Sequence, residues 1–553
     1  MLTTKIIMAF RVERWLAVAA LGALASCAAV APPQGGPRDV TSPRLISSVP
    51  DSAARNVKLQ SVRLVFSEYV QVKELSKNLL ITPQLPPDNN YKLREDRNTV
   101  TLLFEKPLAD STTYSFNFRN AVVDITESLP AKNARLSFST GAILDSGAVR
   151  GTVTDLLTAL PTLDASVALF RVADTAGVRR GRPYYLTRTD KKGLYNLGFL
   201  RAGAYRLYAF VDKNTNNRFD EGERIGYLPA PVVVGPTPLV ADLQLTRPDR
   251  RPPLLTTQTP GPNVLRVVFN EGLAAAALAP LPAPDPARTP APEAVQLTDA
   301  SRNVLLFKSP GLADGRYLLT ATDSSGNVAH DTLAVRFPVP GAAARKTAAP
   351  LAYIVEGNPR SVYRQGRVRL QFPVPILAVA GRPVGTLVED SVRRRPLRLP
   401  ADGTFNAART ELTVLLNTQA KNRVELVLDS TALLPVTGQA LRWPRRPVRF
   451  EPGEVDPDGT LFGTVKTARK SFVLQLLNDK YEVVQALASP SGKYRFEHVA
   501  PGKYRLRVLV DANGDGRWEG GNPDLLTPPE PVLLLPKVFQ MRSNFEIEEP
   551  VVF

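Results

Sequence analysis

The sequence predicts an all-β protein made of tandem β-sandwich domains. Its 553 residues are too many for one hydrophobic core, so several domains of about 100–150 residues each are expected. Hydrophobic residues make up 44% of the chain, as in folded proteins, and 50 prolines and 35 glycines are spread along its length. That spread, together with short stretches in which apolar and polar residues alternate, favours many short strands joined by turns over long helices.

The inventory of reactive residues argues against an enzyme. Cys27 is the one cysteine, so neither a disulfide within the chain nor a cysteine metal site can form. The two histidines, His330 and His498, lie in separate predicted domains, which excludes histidine-rich zinc sites and most Ser–His–Asp arrangements. We therefore predict no catalytic residues, although a mechanism that uses carboxylates alone stays open.

The strongly basic charge says little about partners. A net charge of +17 can reflect attraction to nucleic acid, anionic lipid or acidic polysaccharide, or a solvated basic surface. The arginines are dispersed apart from small clusters such as Arg393–Arg395 and Arg445–Arg446, and no basic segment carries interleaved aromatic residues. The sequence thus predicts no nucleic-acid partner.

The first residues carry the sharpest signal. Basic residues precede the short apolar stretch Trp15–Ser26, which is typical of a secretory signal and too short for an ordinary transmembrane helix. The segment Leu24–Cys27 resembles the lipobox of bacterial lipoproteins. The resemblance implies that the Cys27 thiol receives a diacylglycerol, that the signal peptide 1–26 is removed, and that the new amino group is acylated.

Residues 27–41 would then form the lipidated cysteine and a Pro/Gly-rich tether. Two or three acyl chains hold a protein stably on a bilayer, whereas one does so only marginally. No aspartate follows Cys27, so nothing here resembles the inner-membrane retention signal of some Gram-negative bacteria. The expected location is the outer membrane, on its periplasmic or cell-surface side, with the membrane as a partner through the lipid anchor.

The first predicted domain, 42–141, contains alternating strands such as Val62–Phe66 and Thr99–Phe104. Three of its segments resemble the bacterial Ig-like domain of the SbsA type: Leu64–Val70, Leu108–Tyr114 and Phe138–Gly141. The resemblance implies a β-sandwich that serves as a spacer or adhesive unit, and it carries no active site with it.

A second kind of domain is predicted twice, at 147–246 and 457–550. Residues 193–216 match residues 492–515 without a gap at an offset of 299, as Leu200–Leu207 matches Val499–Leu506, so the C-terminal halves form an internal repeat. Their pattern, Gly-x-Tyr followed by Gly-x-Tyr-x-Leu, resembles carboxypeptidase-regulatory-like, or prealbumin-like, β-sandwiches. The resemblance implies a transthyretin-like fold and not a peptidase, because the zinc ligands of the peptidase belong to a separate catalytic domain.

Two further domains are predicted between these copies. Residues 250–340 look like a degenerate Ig-like domain, since Leu312–Tyr317 followed by Asp323–Asn327 is similar to the last hairpin of many bacterial Ig repeats. Within it, the Ala/Pro-rich segment Ala274–Pro292 is expected to be a long loop. Residues 353–452 contain more alternating runs and are predicted to form another β-sandwich.

One segment of each copy suggests ion chemistry. Residues 212–223 carry oxygen-bearing side chains at positions 1, 3, 5, 9 and 12 of a twelve-residue loop, which matches the calcium loop of the EF-hand type. The predicted ligands are Asp212, Asn214, Asn216, the carbonyl of Arg218, Asp220 and Glu223. Asn217 stands where the sharp turn usually requires glycine, and asparagine can adopt a positive φ.

The second copy offers a weaker set of calcium ligands: Asp511, Asn513, Asp515, the carbonyl of Arg517 and Glu519. It restores the glycine at Gly516 but has Asn522 in place of the twelfth-position glutamate. Both loops follow strands rather than helices. The residues therefore leave two alternatives open, a weak calcium site that stiffens the loop or an Asx-rich turn that needs no metal.

Taken together, the sequence predicts a non-enzymatic cell-envelope lipoprotein whose domains give structural support or contact envelope proteins or glycans. One alternative is a carbohydrate-binding accessory lipoprotein of a polysaccharide-uptake system, which requires aromatic residues aligned on one exposed sheet face. The other is a carboxylate-dependent hydrolase, which requires two buried acids about 5–9.5 Å apart in a cleft. Glu68 and Asp124 are candidates for such a pair, although Ig-like turns and edges use acids at these positions.

Overall fold

The computed structural model describes residues 38–281, 294–298, 301–339, 352–356, 361–438, 443, 447–453, 458–490 and 492–553. The predicted signal peptide, Cys27 and Arg445–Arg446 lie outside these residues. The chain divides into two compact units, unit 1 (residues 1–144) and unit 2 (residues 145–553). The described residues form many strands and two four-residue helices, α1 (Leu75–Asn78) and α2 (Gly177–Arg180), which confirms the all-β prediction. No helix within the described ranges has the length and apolar character needed to cross a membrane.

Unit 1 is a β-sandwich made of a four-stranded sheet, a three-stranded sheet and a two-stranded ribbon. Its strands are β1 (Leu45–Val49), β2 (Ser61–Phe66), β3 (Val70–Val72), β4 (Leu80–Thr82), β5 (Tyr91–Asp96), β6 (Thr99–Phe104), β7 (Thr113–Asn117), β8 (Val122–Asp124) and β9 (Arg135–Ser139). The sheet orders are β1-β2-β6-β5, β4-β7-β9 and β3-β8. Alternate residues of β2 and β6 point into a core that contains the stacked rings of Phe116 and Phe138, 5.7 Å apart.

The first repeat of unit 2 consists of nine strands in two sheets. They are β10 (Gly147–Asp155), β11 (Ser166–Arg171), β12 (Tyr185–Arg188), β13 (Leu194–Leu200), β14 (Gly203–Phe210), β15 (Ile225–Tyr227), β16 (Val232–Val234), β17 (Leu239–Val240) and β18 (Leu243–Leu245). One sheet has the order β13-β10-β17, with β18 also on β10, and the other has the order β12-β11-β14-β15, with β16 also on β14.

Two sandwiches follow the first repeat. The first contains β19 (Leu255–Pro260), β20 (Val264–Phe269), β21 (Leu273–Leu281), β22 (Val295–Thr298), β23 (Asn303–Phe307), β24 (Gly315–Asp323) and β25 (Val328–Val335), in the sheets β19-β20-β23-β22 and β21-β24-β25. The predicted last hairpin is the pair β24–β25, whose residues 324–327 form the turn.

The second of these sandwiches has three sheets, ordered β26-β28-β33-β32, β27-β36-β34-β30-β31 and β29-β35. Its strands are β26 (Ile354–Val355), β27 (Ser361–Tyr363), β28 (Gln365–Gln371), β29 (Ile376–Ala378), β30 (Gly385–Glu389), β31 (Arg393–Leu397), β32 (Gly403–Phe405), β33 (Glu411–Asn417), β34 (Val424–Leu428), β35 (Leu433–Pro435) and β36 (Val448–Gly453). Its core is continuous across the two larger sheets.

The prediction of a long loop at Ala274–Pro292 is wrong for the first part of this segment. Residues 274–281 belong to β21, which pairs antiparallel with β24 along its whole length. Because β21 is the edge strand of its described sheet, Pro280 does not have to donate a hydrogen bond on a second side. Pairing with β24 thus overrides the low strand propensity of alanine. Residues 282–292 lie outside the described residues.

The second repeat has the same strand order as the first. Its strands are β37 (Gly459–Lys466), β38 (Ser471–Leu477), β39 (Val483–Ala488), β40 (Lys493–Val499), β41 (Gly502–Asp511), β42 (Val532–Leu534), β43 (Phe539–Met541), β44 (Glu546–Glu548) and β45 (Val551–Val552). The sheets are β40-β37-β44, with β45 also on β37, and β39-β38-β41-β42, with β43 also on β41. The internal repeat read from the sequence is therefore also a repeat of topology.

A glycine and a tyrosine make the same close contact in both repeats. Gly151 pairs with Tyr195, whose hydroxyl donates a hydrogen bond of 2.6 Å to the carbonyl of Ala241. Gly463 pairs with Tyr494, and this hydroxyl donates one of 2.7 Å to the carbonyl of Glu549. A Cβ atom on either glycine would lie well inside van der Waals contact of that same carbonyl. The glycine thus lets the C-terminal segment of each repeat cross close to its first strand.

This close approach predicts the effect of a small substitution. Gly463→Ala should weaken the second repeat by about 1–3 kcal/mol, because the added methyl group forces the backbone at Glu549 to move away. Hydrogen exchange measured by mass spectrometry should show faster exchange in β37 and β44. Gly198→Ala is the matched control, since a Cβ atom there meets nothing within 4 Å. Equal exchange in the two variants would contradict this account of the glycine.

Candidate functional site at the junction of the two repeats

The Asx-rich loop of the first repeat begins directly after β14 and is organised around one carboxylate. Asp212 is buried, and its two oxygens accept hydrogen bonds from the backbone N–H groups of Asn216 (3.1 Å) and Asn217 (2.9 Å). Asn217 has φ 59°, so asparagine supplies the left-handed turn for which glycine is usual. The amide of Arg218, whose carbonyl is a predicted ligand, donates to the Asn216 side chain at 2.8 Å.

A second carboxylate closes this loop. The buried Glu223 accepts hydrogen bonds from the backbone N–H groups of Lys213 (2.9 Å) and Asp220 (3.0 Å), which join the start of the loop to its end. The side-chain amides of Asn214 and Asn216 both donate to Asp220 Oδ2 at 2.7 Å. The structure therefore brings the predicted calcium ligands of the first loop together around a small set of carboxylate and amide groups.

The second loop repeats the first turn. Both oxygens of Asp511 accept backbone N–H groups, from Gly514 at 2.6 Å and from Gly516 at 2.8 Å, and Gly516 has φ 88°. The side chains of Asn513 and Asp515 each accept the backbone N–H two residues further on, at 2.9 Å. These residues occupy the places that Asp212, Asn214 and Asn216 take in the first repeat.

The closing residue of the second loop is one that the sequence spacing does not indicate. Glu530 accepts the backbone N–H groups of Ala512 (2.7 Å) and Glu519 (2.9 Å), as Glu223 does in the first loop. Asn522, at the twelfth position, instead accepts the backbone N–H of Asp524 within its own turn. A segment inserted between Glu519 and Glu530 displaces the equivalent glutamate along the chain, so a fixed twelve-residue spacing cannot find it.

The donor sets of both loops suit a hard cation, since they consist of carboxylate, amide and carbonyl oxygens. Most of these side-chain oxygens already accept hydrogen bonds, from backbone N–H groups or from asparagine amides. Within the described residues the carboxylates of Asp212, Asp220 and Glu223 do not all come within 4.8 Å of one another. Hydrogen bonds alone therefore give each loop a defined conformation. Both alternatives for these loops, calcium site and metal-free turn, are compatible with the geometry.

Residues 520–529, here called the inserted segment, dock on the first repeat. Three contacts of this segment stand out: Thr246 Oγ1 donates to the Gly520 carbonyl at 2.8 Å, the Tyr227 hydroxyl donates to the Thr527 carbonyl at 2.5 Å, and Arg179 Nε pairs with Asp524 at 2.7 Å. Burial raises the pKa of the Tyr227 hydroxyl to about 12, so it remains a donor throughout the neutral range. Two repeats that are far apart in sequence are thus in direct contact.

Next to this contact, both repeats line a cleft of about 570 Å³. Arg507 lies at its wall with only 5% of its surface exposed, and it spans the two repeats by donating to the Leu157 carbonyl (3.0 Å) and to Gln475 Oε1 (2.8 Å). Burial lowers the pKa of its guanidinium, an effect that the charge of Asp155 partly offsets. Trp518 also lines the cleft, and its indole N–H donates to the Glu530 carbonyl at 3.1 Å.

Three acids far apart in sequence form a cluster nearby in unit 2. One carboxylate oxygen from each of Asp249, Glu271 and Asp323 lies within 4.8 Å of the other two. Asp323 is 2% exposed and holds the β24–β25 turn by accepting the backbone N–H groups of Ser325 (2.8 Å) and Asn327 (2.9 Å). Burial, and then the charge of Asp249, raise the pKa of Glu271 to about 7. No spacing in the sequence could indicate this cluster.

Of the candidate acids Glu68 and Asp124, Asp124 has a structural role in unit 1. Burial disfavours the charged form of Asp124, but the backbone N–H groups of Glu127, Ser128 and Leu129 donate to it and lower its pKa. Burial raises the pKa of Glu68, and nearby carboxylates add to the effect. Because its oxygens are held by a turn, Asp124 is not free to serve as a catalytic acid or base.

Among the residues that the structure describes, the exposed aromatic side chains do not form a stacking platform. Among the large hydrophobic residues that the described ranges expose, the aromatic ones are Tyr69, Phe199, Tyr363 and Phe545. They belong to different sheets and loops. An aligned row of rings on one sheet face, which the carbohydrate-binding alternative requires, is therefore not found among the described residues.

Comparison with known proteins identifies one domain. The profile of the bacterial Ig-like domain family matches residues 39–140, which confirms the Ig-like prediction for the first domain. No curated protein sequence matches the chain. The prealbumin-like type of the two repeats and the exact domain limits stay predictions.

Three solved structures show how the chain compares at the level of fold. The N-terminal part of the bacterial S-layer protein SbsC has 14% identity and a TM-score of 0.15. The match covers 37% of this chain and 44% of that one, so this chain spans less than half the length of that protein. The Bacillus cereus major pilin subunit BcpA has 11% identity and a TM-score of 0.15, covering 74% and 99% of the two chains. A Bacteroides ovatus glucan-utilisation protein, SGBP-B, solved with a mixed-linkage heptasaccharide, has 11% identity and a TM-score of 0.15, covering 61% and 82%. Similarity at this level does not identify a shared function.

The acidic cluster predicts a pH-dependent stability. Between pH 4.5, the ordinary carboxyl pKa, and pH 7, folded unit 2 keeps a proton on Glu271 that the unfolded chain releases. Stability should therefore increase as the pH falls through this window, and above pH 7 the charged cluster should destabilise the fold. Glu271→Gln should raise the guanidinium midpoint of unit 2 at pH 8 and have little effect at pH 5. Glu105→Gln, an exposed acid of unit 1, is the control. If Glu271→Gln changes the midpoint equally at both pH values, the folded protein does not keep this proton on Glu271.

Proposed function

We propose that this chain is a non-enzymatic lipoprotein of the bacterial cell envelope, anchored through acyl chains on Cys27. Its β-sandwich array would serve as a structural or binding component, in contact with envelope proteins or glycans. The proposed location is the outer membrane, on its periplasmic or cell-surface side. The tether 27–41 would separate the first Ig-like domain from the bilayer.

The observation that carries this proposal is the position of the one cysteine in 553 residues. Cys27 directly follows a short apolar stretch and small residues, which is where lipoprotein signal peptides place the acylated cysteine. An incidental cysteine could occur anywhere in the chain. Acylation at this position explains both its presence and the Pro/Gly-rich residues that follow it.

The array itself supports a mechanical or binding role. Side chains of the first repeat donate hydrogen bonds to backbone carbonyls of the second. Arg517 of the second repeat also donates, at 3.1 Å, to the Gly326 carbonyl in the β24–β25 turn of the sandwich that follows the first repeat. Such contacts couple sandwiches that are separate along the chain. The buried acids of both Asx loops hold backbone N–H groups and thereby stabilise turns. Stabilised turns and coupled sandwiches suit a load-bearing or ligand-presenting protein.

Calcium binding at the first Asx loop is part of the proposal. A cation at this loop would replace the amide–carboxylate hydrogen bonds around Asp220 and stiffen the connection between β14 and β15. Affinity in the range of about 10⁻⁴–10⁻³ M is expected, as in extracellular modules that meet millimolar calcium. The second loop would bind more weakly.

Lipidation can be tested with a fatty-acid analogue in living cells. The wild-type chain should incorporate the label, fractionate with membranes, and begin at an acylated Cys27 when its N-terminal peptide is analysed by mass spectrometry. Cys27→Ala should lose the label and the membrane fractionation. Ser26→Ala is the matched control, because it keeps a small residue before the cleavage site and should still be labelled. Labelled Cys27→Ala, or an intact residue 1–26 segment on the purified native protein, would refute the proposal.

Calcium binding can be tested by calorimetry and thermal unfolding of the whole chain. At a calcium concentration ten times the dissociation constant, bound calcium should stabilise the first repeat by about 1.4 kcal/mol. Asp220→Asn should abolish the heat of calcium binding and the calcium-dependent shift in the melting temperature of that repeat, since it removes a charged oxygen from the loop. Asp479→Asn, an exposed acid outside both loops, should leave them unchanged. If about 10 mM calcium gives the wild-type chain neither heat nor a shift in melting, the loop is a metal-free turn.

A further inference from the structure

The cleft between the two repeats concentrates cationic side chains among apolar and aromatic ones. Five basic residues face it: Lys213, Arg224 and Arg247 from the first repeat and the residues that follow it, and Lys480 and Arg507 from the second repeat. Asp155 is the one acidic residue in its lining. The volume of about 570 Å³ falls within the range of about 300–1,000 Å³ that is typical of small-ligand sites.

Of these five cations, Arg224 is the one that forms an ion pair within the described residues. Arg224 forms an ion pair of 2.9 Å with Asp155, so the one acidic residue of the lining already has a partner. Within the described part of the chain, the side chains of Lys213, Arg247 and Lys480 form no ion pair, and Arg507 has only neutral acceptors. Cations that share one cleft repel one another, and an anion in the cleft would relieve that repulsion.

The repeat fold does not require an arginine at the position of Arg507. In the first repeat the equivalent residue is Tyr208, which is 4% exposed and packs edge to face against Phe170. Asp155, which pairs with Arg224, offsets only part of the Arg507 charge, and a buried guanidinium with no carboxylate bound directly to it is costly unless something else compensates the charge. The second repeat thus carries a buried cation at a place where an uncharged side chain suffices for folding.

Aromatic rings form another part of the cleft wall. Tyr481 and Trp518 both line it, and the hydrogen bond from the indole N–H of Trp518 to a backbone carbonyl holds that ring in place at the wall. Aromatic faces pack against the C–H faces of sugar rings, while arginine and lysine bind carboxylates. A sugar that carries a carboxylate matches both features of this wall.

We propose that the cleft between the two repeats binds a carboxylated segment of an acidic polysaccharide, with the basic residues holding uronate groups and the two rings packing on the sugars. The choice of a polysaccharide over a nucleic acid rests on the proposed export to the cell envelope. Three exposed basic side chains, Lys213, Arg247 and Lys480, would contact the ligand first. Arg507 would bind the carboxylate that enters deepest.

Calorimetry on the purified full chain tests this, with a galacturonate tetrasaccharide as the acidic probe and maltotetraose as the neutral one. The acidic probe should bind, more weakly at 0.5 M salt than at 0.05 M because salt screens the charges, and the neutral probe should not. The double variant Arg247→Gln/Lys480→Gln should weaken binding roughly tenfold, which corresponds to two exposed ion pairs. These side chains make no ion pair in the described structure, so the variant should fold as the wild type does.

The matched control is Lys92→Gln/Arg94→Gln, which removes two exposed cations from β5 of unit 1. It should leave the dissociation constant within about twofold of the wild-type value, since only charges close to the ligand are felt strongly at moderate salt. Equal weakening in both double variants would show that net charge alone attracts the probe, and it would overturn the proposal. No binding of the tetrasaccharide, or tighter binding of a short single-stranded oligonucleotide, would also overturn it.

This test is separate from the test of lipidation. A chain that binds the acidic tetrasaccharide but carries no acyl group would leave the cleft assignment in place and refute the anchoring at Cys27. An acylated chain that does not bind the probe would refute the cleft assignment alone.

Discussion

The contact between the inserted segment and the first repeat is the interaction on which the rest of the junction depends. Glu530 holds both ends of the second Asx loop, so the ten residues before it are directed outward to the neighbouring repeat. There, Tyr227 and Thr246 donate to backbone carbonyls, and each such hydrogen bond contributes about 0.5–1.5 kcal/mol. Exposed ion pairs contribute less, as with Arg250 and Asp524 at 3.9 Å. The cleft exists because these bonds fix the two repeats side by side.

The two repeats act as internal controls for each other. Positions that serve the fold are the same in both, as in the tyrosines Tyr205 and Tyr504, whose hydroxyls donate to the carbonyls of Arg201 (3.0 Å) and Ala500 (2.8 Å). Positions that differ, despite the common strand order, are free of that structural demand. The change from tyrosine to arginine at position 507 belongs to this second class. Comparison of the copies thereby separates residues that maintain each sandwich from residues that act at the junction, where Arg507 also donates to the Leu157 carbonyl.

The sequence predicts local features well and long-range ones poorly. Alternation and turn residues predict the all-β class, and the match at an offset of 299 residues predicts a shared topology. Both predictions succeed because each pattern is contained within a short continuous stretch of the sequence. The strand at 273–281 is missed, since its alanines form a strand only through pairing with β24. The Arg393–Arg395 cluster is not one patch. Neighbouring residues of β31 point to opposite faces of the sheet. Arg394 therefore lines a cleft that Arg423 and Arg449 also line, whereas Arg395 forms an ion pair with Asp402.

The candidate site shows why function is harder to predict than fold. Glu530 is displaced by an insertion, and Asp249, Glu271 and Asp323 come from three separate segments, so no spacing rule detects them. The cationic cleft combines side chains of two domains that are about 300 residues apart. Only the packing of one repeat on the other brings these charges together. Net charge alone could not distinguish such a site from a solvated basic surface.

The Asx loops and the cleft, which the sequence presents as separate features, form one mechanical unit. Lys213 lies in the first loop, and Glu223 holds its backbone N–H. Trp518 lies in the second loop, where Glu530 accepts its indole N–H through the backbone carbonyl and the next residue's N–H through the carboxylate. A change that tightens either loop therefore also fixes a cationic or an aromatic group of the cleft. Loop rigidity and ligand affinity should consequently be coupled, because the same glutamates serve both.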